Sequence, residues 1–210
     1  MLEVLYEDNH LIAVNKKSGD IVQGDKTGDA PLSDFVKAYI KKKYNKPGDV
    51  FLGTIHRLDR PTSGIVLYAR TTKALSRMNE QFREKQVQKT YWAVVDNAPP
   101  NPSGTLENYL QKNQKQNKSY VTKTDRGKHA VLDFKLLKKL DNFYHLEIKP
   151  KTGRHHQIRV QLAHIGCIIK GDLKYGASRS NKDTSIHLLA KKLEFTHPVR
   201  KEPISISAPA

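Results

Sequence analysis

His56-Arg57-Leu58-Asp59-Arg60-Pro61-Thr62-Ser63-Gly64 runs straight into the apolar segment Ile65-Val66-Leu67-Tyr68. The stretch sets a carboxylate between two arginines, turns at Pro61 and Gly64, and delivers a charged loop into what reads as a buried strand. Arg57 and Arg60 flank Asp59, and nearby positive charge favours the ionised carboxylate. A charged carboxylate at the mouth of a sheet can be a nucleophile, a base or half of a structural ion pair. Taken alone, the stretch reads as an ion pair; the rest of the chain decides.

The flanking segments set the fold class. Residues 2–6 alternate and Leu11-Ile12-Ala13-Val14-Asn15 is a short apolar run, so the pair reads as a hairpin across Glu7-Asp8-Asn9-His10. Lys16-Lys17-Ser18-Gly19 follows as a basic turn, and residues 24–28 as loop. Leu32, Phe35, Val36, Tyr39 and Ile40 recur at helical spacing, and Lys41-Lys42-Lys43 suits the end of that helix. Beyond the opening stretch, Thr72 caps a second helix carrying Leu75, Met78 and Phe82. Lys89-Thr90-Tyr91-Trp92-Ala93-Val94-Val95 is rich in strand formers. Residues 97–104 form a Pro-rich turn, and residues 111–128, polar and Lys-rich, form a mobile loop or an exposed hairpin. Residues 130–137, 144–149 and 187–195 read as strands, and a helix starting near Arg154 carries Ile158, Leu162 and Ile165 before closing at Gly166. Strands outnumber helices in an irregular order, which points to an α+β fold with a central mixed, mostly antiparallel sheet flanked by helices and loops.

The 210 residues suffice for one large domain or two small ones. Thirty-seven Lys and Arg against 21 Asp and Glu give a net charge of +16, the footprint of a polyanion partner, and nucleic acid fits better than a membrane because no basic amphipathic helix dominates. Cys167 is the single cysteine, so no intramolecular disulfide can form, and it reads as a small buried hydrophobe. With no signal peptide and no apolar run long enough to span a bilayer, the cytoplasm is the expected compartment.

The nine histidines do not fall into metal-ligand spacings: there is no His-x-x-x-His or Cys-x-x-Cys, and no metal is expected. His56-Arg57-Leu58-Asp59 faintly echoes a kinase catalytic loop, but Ser63 stands where that loop needs Asn and a Gly-rich phosphate loop is missing. Thr62-Ser63-Gly64 lacks the Gly-x-Ser-x-Gly frame of a nucleophile elbow. Arg154-His155-His156-Gln157-Ile158-Arg159-Val160-Gln161 is different in kind. On a helix, His155 and Arg159 share a face while Ile158 and Leu162 bury the other, so Arg, His and Gln would be exposed to a phosphate or a base. An ordinary amphipathic helix with a wet basic face would look the same.

Several segments in this order resemble the RluA-like pseudouridine synthases. Leu5-Tyr6-Glu7-Asp8-Asn9-His10-Leu11 with Val14-Asn15-Lys16 resembles the family's opening segment, and His56-Arg57-Leu58-Asp59 with Thr62-Ser63-Gly64 its most specific motif. Lys89-Thr90-Tyr91 resembles the next, and Thr152-Gly153-Arg154-His155-His156-Gln157-Ile158-Arg159 the third, with Gly171-Asp172 and Tyr175-Gly176 after it. One departure is Lys17, where the family commonly has Pro; it touches a turn.

The resemblance implies a pseudouridine synthase fold and one catalytic domain over residues 1–210, without the S4 RNA-binding module that some relatives carry. It implies a cofactor-free isomerase acting on uridines of ribosomal or transfer RNA, working as a monomer. Asp59 would be the catalytic carboxylate at the anomeric carbon or the ring, and Arg159 would hold it ionised and oriented, a pair suited to bidentate geometry. Tyr91 would stack on the target uracil, its hydroxyl assisting proton removal from carbon 5. The target base has to leave its stack, and Arg57 is the candidate for the vacated space. His56, Arg60, Thr62, Arg154, His155 and Gln157 are the remaining expected RNA contacts, with His56 ordering the loop. Two other readings compete: an RNA-binding or ribosome-assembly factor that kept the fold without turnover, and a phosphodiesterase using its histidines.

Overall fold

The computed structural model of the chain describes residues 2–24, 28–123 and 126–209. Residues 25–27 of the expected loop and residues 124–125 of the Lys-rich segment lie outside the described residues. The chain divides into two compact units, Met1–Gln88 with Ala190–Ala210, and Lys89–Leu189.

The first unit begins with the expected hairpin, β1 (Val4–Glu7) and β2 (Leu11–Lys16), paired antiparallel with a bulge between Val4 and Tyr6. Asp8 shapes its turn: Oδ1 accepts the main-chain N–H groups of His10 and Leu11 at 2.7 and 2.8 Å. The other carboxylate oxygen lies 2.7 Å from both the Tyr6 hydroxyl and the Nε2 of buried His197, which ties the hairpin to the C-terminal segment. These bonds hold the Asp8 carboxyl below the usual carboxylate range, against the opposing effect of its burial. Strand β2 pairs antiparallel with β4 (Ser63–Ala69), from Leu11 opposite Ala69 to Lys16 opposite Gly64, and the short β3 (Gly53–Thr54) pairs with the end of β4.

Six of the seven β4 residues are buried, as the run after the opening stretch requires. Ile12, Val14, Val66 and Tyr68 meet Val36 and Ile40 from α1 (Leu32–Lys43), while the Tyr68 hydroxyl donates to the Val22 carbonyl at 2.9 Å. Phe35, expected on the buried face of α1, is exposed. Helix α2 (Thr72–Arg83) is capped one residue earlier than expected: the Thr71 hydroxyl accepts from Ala74 N–H at 3.2 Å.

The second unit is an antiparallel sheet in the order β5 (Gln88–Val95), β9 (Tyr144–Pro150), β8 (Lys128–Lys139), β6 (Ser103–Asn113), β7 (Lys118–Thr122). Its core gathers Ala93, Val95, Leu132, Leu146 and Ile148 against Ile158 and Leu162 of α3 (Gln157–His164), with Cys167 buried among them as expected. The Lys-rich segment is a hairpin of β6 and β7. The chain re-enters the first unit within β10 (Leu188–Thr196), which pairs with β11 (Pro203–Ser207). Among the described residues, three α-helices and antiparallel ladders give the expected α+β architecture.

Gly64 is where the opening turn meets this framework. Its φ is +111°, and a Cβ there would lie 2.7 Å from the Ala190 main-chain nitrogen and also clash with that residue's carbonyl. Backbone cannot move aside as a side-chain tip can. Gly64→Ala is therefore expected to cost about 3 kcal/mol or more, combining a left-handed backbone with a clash. Urea denaturation would read this as a lowered midpoint; an unchanged midpoint would mean that β4 need not approach Ala190 so closely.

Candidate active site

Asp59 sits half-buried on a tight turn, closed by the Thr62 N–H donating to the Asp59 carbonyl at 3.0 Å. Beneath it lies a residue that sequence reading left in a basic turn. Lys16, the last residue of β2, is 1% exposed, and its Nζ donates to the carbonyls of Lys17, Arg60 and Thr62 at 3.0, 3.0 and 2.7 Å. One ammonium thus clamps both ends of the turn that presents Asp59. Ser18 adds a hydroxyl bond to the Pro61 carbonyl at 3.1 Å, and Gly19 N–H donates to the Arg60 carbonyl at 2.9 Å.

Burial pushes the Lys16 ammonium down to about 8, against the pull of the Asp20 and Asp59 carboxylates. In the unfolded chain this lysine titrates near 10.5, so between the two values the unfolded state binds more protons and stability rises with pH. Lys16→Met strands buried carbonyls and is expected to cost about 1–3 kcal/mol. Its deficit against wild type should widen from pH 7 to pH 10 in urea titrations; a deficit that shrinks would refute the burial-lowered ammonium.

The neighbours of Asp59 divide by role. The Arg60 guanidinium pairs with Asp29 at 2.6 Å in an exposed ion pair, so its described partner is not the carboxylate beside it in sequence. Arg57 is exposed and makes no ion pair among the described residues. His56 accepts the Leu67 N–H on Nε2 at 3.1 Å and stacks on Phe82 with ring centroids 5.3 Å apart, which anchors the loop to β4 and α2. Thr62, another of the expected RNA contacts, is buried, and its hydroxyl finds no hydrogen-bond partner among the described residues.

In the second unit, Tyr91 stands on β5 opposite Ile148 of β9 and packs at the rim of the core. Helix α3 begins three residues later than the expected start near Arg154. His156 takes a left-handed conformation (φ 54°) before the first turn and accepts Val160 N–H on its carbonyl at 2.9 Å. The shift changes the face analysis. Gln157, Arg159 and Gln161 are all buried, so the expected exposed basic face does not exist. Gln157 is a structural clamp: its Oε1 accepts from the Thr152 hydroxyl at 2.7 Å and Arg154 N–H at 3.0 Å, and its Nε2 donates to the Val131 carbonyl. Arg154 is exposed, its Nε donating to the His129 carbonyl at 2.8 Å.

The two adjacent histidines, expected to point apart on a helix, instead stack with centroids 3.7 Å apart. The left-handed turn at His156 makes this possible. His155 joins Ser119 at 2.8 Å through Nδ1 and Asn117 at 3.2 Å through Nε2. Burial drives the His156 imidazole down to about 2, helped by the charge of Arg159, so it is neutral at physiological pH.

Arg159 has a described partner that sequence reading missed. Its Nε and Nη2 donate to the two carboxylate oxygens of Asp172, each at 2.7 Å. This is a bidentate pair with both side chains almost sealed from solvent. The Tyr175 ring lies 5.1 Å from the Arg159 guanidinium carbon. The signal for Asp172 was the Gly171-Asp172 pair in the loop after α3, which resemblance marked without a role.

Residues 10–164 match the family model described as RNA pseudouridylate synthase. Ribosomal large subunit pseudouridine synthase C of Vibrio vulnificus (strain CMCP6) is 36% identical, over 98% of this chain and 65% of that protein. Ribosomal large subunit pseudouridine synthase D of Xylella fastidiosa (strain Temecula1 / ATCC 700964) is 34% identical, over 99% of this chain and 66% of that protein. This chain thus spans about two thirds of the length of these curated relatives. Among solved structures, Human RNA Pseudouridylate Synthase Domain Containing 4 superposes with a TM-score of 0.81 at 22% identity, covering 99% of this chain and 88% of that one, which shows a shared fold.

Proposed function

Because this chain belongs to the RNA pseudouridylate synthase family, we propose that it isomerises specific uridines of ribosomal or transfer RNA to pseudouridine. The names of its relatives favour ribosomal RNA. We take residues 1–210 as one catalytic domain, acting as a monomer in the cytoplasm. Among the described residues, no helix is long and apolar enough to cross a membrane.

The observation that carries the proposal is the support under Asp59. A half-buried carboxylate stands on a turn whose carbonyls are clamped by a buried lysine and whose exit glycine packs against backbone. Such rigidity suits a group that must meet a reacting atom within a fraction of an ångström.

The reaction breaks the bond from ring nitrogen 1 to the anomeric carbon and makes one from carbon 5 to the same carbon. Carbon 5 loses its proton and nitrogen 1 gains one. Atoms and electrons balance within the nucleotide, so no oxidant or reductant is called for. Asp59 works at the sugar–base junction, where positive charge develops as the first bond breaks. Tyr91 stacks on the detached uracil and takes part in removing the carbon 5 proton. Arg159 orients Asp59, and exposed Arg57 fills the space left by the flipped base. Arg60, Arg154, His155 and His56 bear on the RNA directly or through the loops they hold.

The test is tritium release from RNA labelled at carbon 5 of uridine, with the RNA kept full-length. Release by the purified protein is the expected result. RNA bound tightly with no release on any ribosomal or transfer RNA would favour a silent RNA-binding factor, and shortened RNA would favour a phosphodiesterase. With a net charge of +16, phosphate contacts should dominate affinity. The slope of log binding constant against log salt is expected to be about −4 or steeper in filter binding; a flat dependence would contradict this.

A further inference from the structure

Lys89 is a charged residue that the reaction leaves without a task. It is the second residue of β5 and comes first in the row Lys89, Tyr91, Ala93, Val95 that faces one side of the strand. The rest of that row enters the core, with Tyr91 at its rim. Lys89 is partly buried, and no hydrogen bond or ion pair engages its ammonium among the described residues. Burial lowers the ammonium from the ordinary lysine value, and no described carboxylate opposes the fall. The carboxylates of two other strands of the unit are already engaged: Asp133 of β8 pairs with Lys151 at 2.8 Å and Glu147 of β9 with Lys149 at 3.3 Å. The ammonium lies instead against Gly153, in the turn before α3. A Cβ at Gly153 would meet Lys89 Nζ at 3.8 Å and no other described atom within 4 Å. Gly153 is exposed, and exposed Arg154 follows it as a second cation at the same turn.

We propose that Lys89 and the open main chain at Gly153 form a subsite for one backbone phosphate of the RNA, beside the nucleotide that Tyr91 receives. A cation withdrawn from water costs the fold free energy unless an anion or hydrogen bonds offset the loss. No described side chain does so here, and the ammonium keeps its three N–H donors for a ligand. The residue at its opening is a glycine, whose missing side chain lets a bulky anion come close. A phosphodiester is the anion that RNA carries at every nucleotide, and lysine binds it as a compact point charge. Two residues along a strand set Lys89 about 7 Å from Tyr91, so both side chains reach the same stretch of RNA. The inference rests on the reading of this chain as an enzyme on RNA with Tyr91 at the uracil, and it adds a grip on the strand next to the target base.

The test compares filter binding over a range of salt, tritium release and thermal midpoint for wild type, Lys89→Met, Gly153→Asp and Lys149→Met in the full chain. Lys89→Met removes one phosphate contact, so the slope of log binding constant against log salt should become shallower by about 0.7–0.9. At low salt KM for RNA should rise by about tenfold with kcat near wild type, as for an interaction made equally in ground and transition states. The midpoint of the free protein should rise by about 2 °C or more, because methionine fills the same space without a charge. Lys149→Met removes a lysine that already has a carboxylate, and it should keep the wild-type slope. An unchanged slope for Lys89→Met overturns the subsite, and so does an equal change in Lys149→Met, which would report general charge. A lower midpoint with normal KM would make Lys89 structural, and a fallen kcat with normal KM would make it part of the chemistry; either result overturns the proposal. If Lys89→Met does not fold, Gly153→Asp decides: its carboxylate would occupy the ammonium, and a wild-type slope there overturns the subsite as well. Wild type that binds RNA without releasing tritium sinks the proposed reaction, whereas normal release beside a normal Lys89→Met slope sinks the subsite alone.

Discussion

Asp59→Asn is expected to abolish pseudouridine formation, by about 10⁴-fold or more, while RNA affinity stays within a few-fold of wild type. The substitution keeps shape and hydrogen-bonding capacity and removes only the charge. The Lys16 clamp engages carbonyls, and the turn closes through main-chain atoms. The turn should therefore form as before. With a net charge of +16, phosphate contacts are expected to supply the RNA grip, and losing one carboxylate should not weaken it. Tritium release and filter binding on the same preparation separate the two effects. Lost binding together with lost release would mean that Asp59 holds the RNA rather than working on it.

The second large effect concerns Arg159 and Asp172. Arg159→Met leaves the Asp172 carboxylate, 1% exposed, without its bidentate partner. Breaking a buried pair by removing one side typically costs about 3–5 kcal/mol, because the remaining charge stays desolvated. Replacing both members by apolar residues removes that penalty, and such swaps are often neutral. Arg159→Met with Asp172→Leu should therefore regain most of the stability lost by the single variant in urea melts. Turnover should stay down by about 100-fold or more in both, since neither restores a guanidinium. A double variant that regains stability and activity together would show that Arg159 serves only the fold.

The parts of the molecule that sequence exposed are those with a strong local pattern. The N-terminal hairpin, β4 after the charged loop, α1 and the alternating strands 144–149 and 187–195 all carried apolar periodicity that burial later used. β6 was missed because most of its residues are exposed and polar, leaving only Leu106 and Leu110 as a faint alternation. β11 was missed for the same reason: only Ile206 of its five residues is buried. The start of α3 was misjudged because Arg154, His155 and His156 are acceptable helix formers; tertiary contacts hold them in a turn, and a left-handed His156 has no sequence signature.

Within the candidate site, resemblance named the residues proposed to carry the chemistry, but not the contacts that support them. Lys16 sits next to Lys17 and looks like any surface lysine. Its burial follows from carbonyls 44 and 46 residues away, which no local window contains. Asp172 and Tyr175 lie in a loop packed against α3 and β7, so their contacts emerged only with the fold. The burial of Thr62 and Gln157 has the same origin, since polarity suggested exposure and packing decided otherwise.

The most direct test of the central claim is nucleoside analysis of full-length ribosomal and transfer RNA after incubation with the wild-type protein and with Asp59→Asn. The account predicts that wild type converts a fixed uridine to pseudouridine, approaching one per RNA molecule, and that Asp59→Asn forms none while the RNA stays intact. Pseudouridine formed equally by both proteins, or by neither, would contradict it.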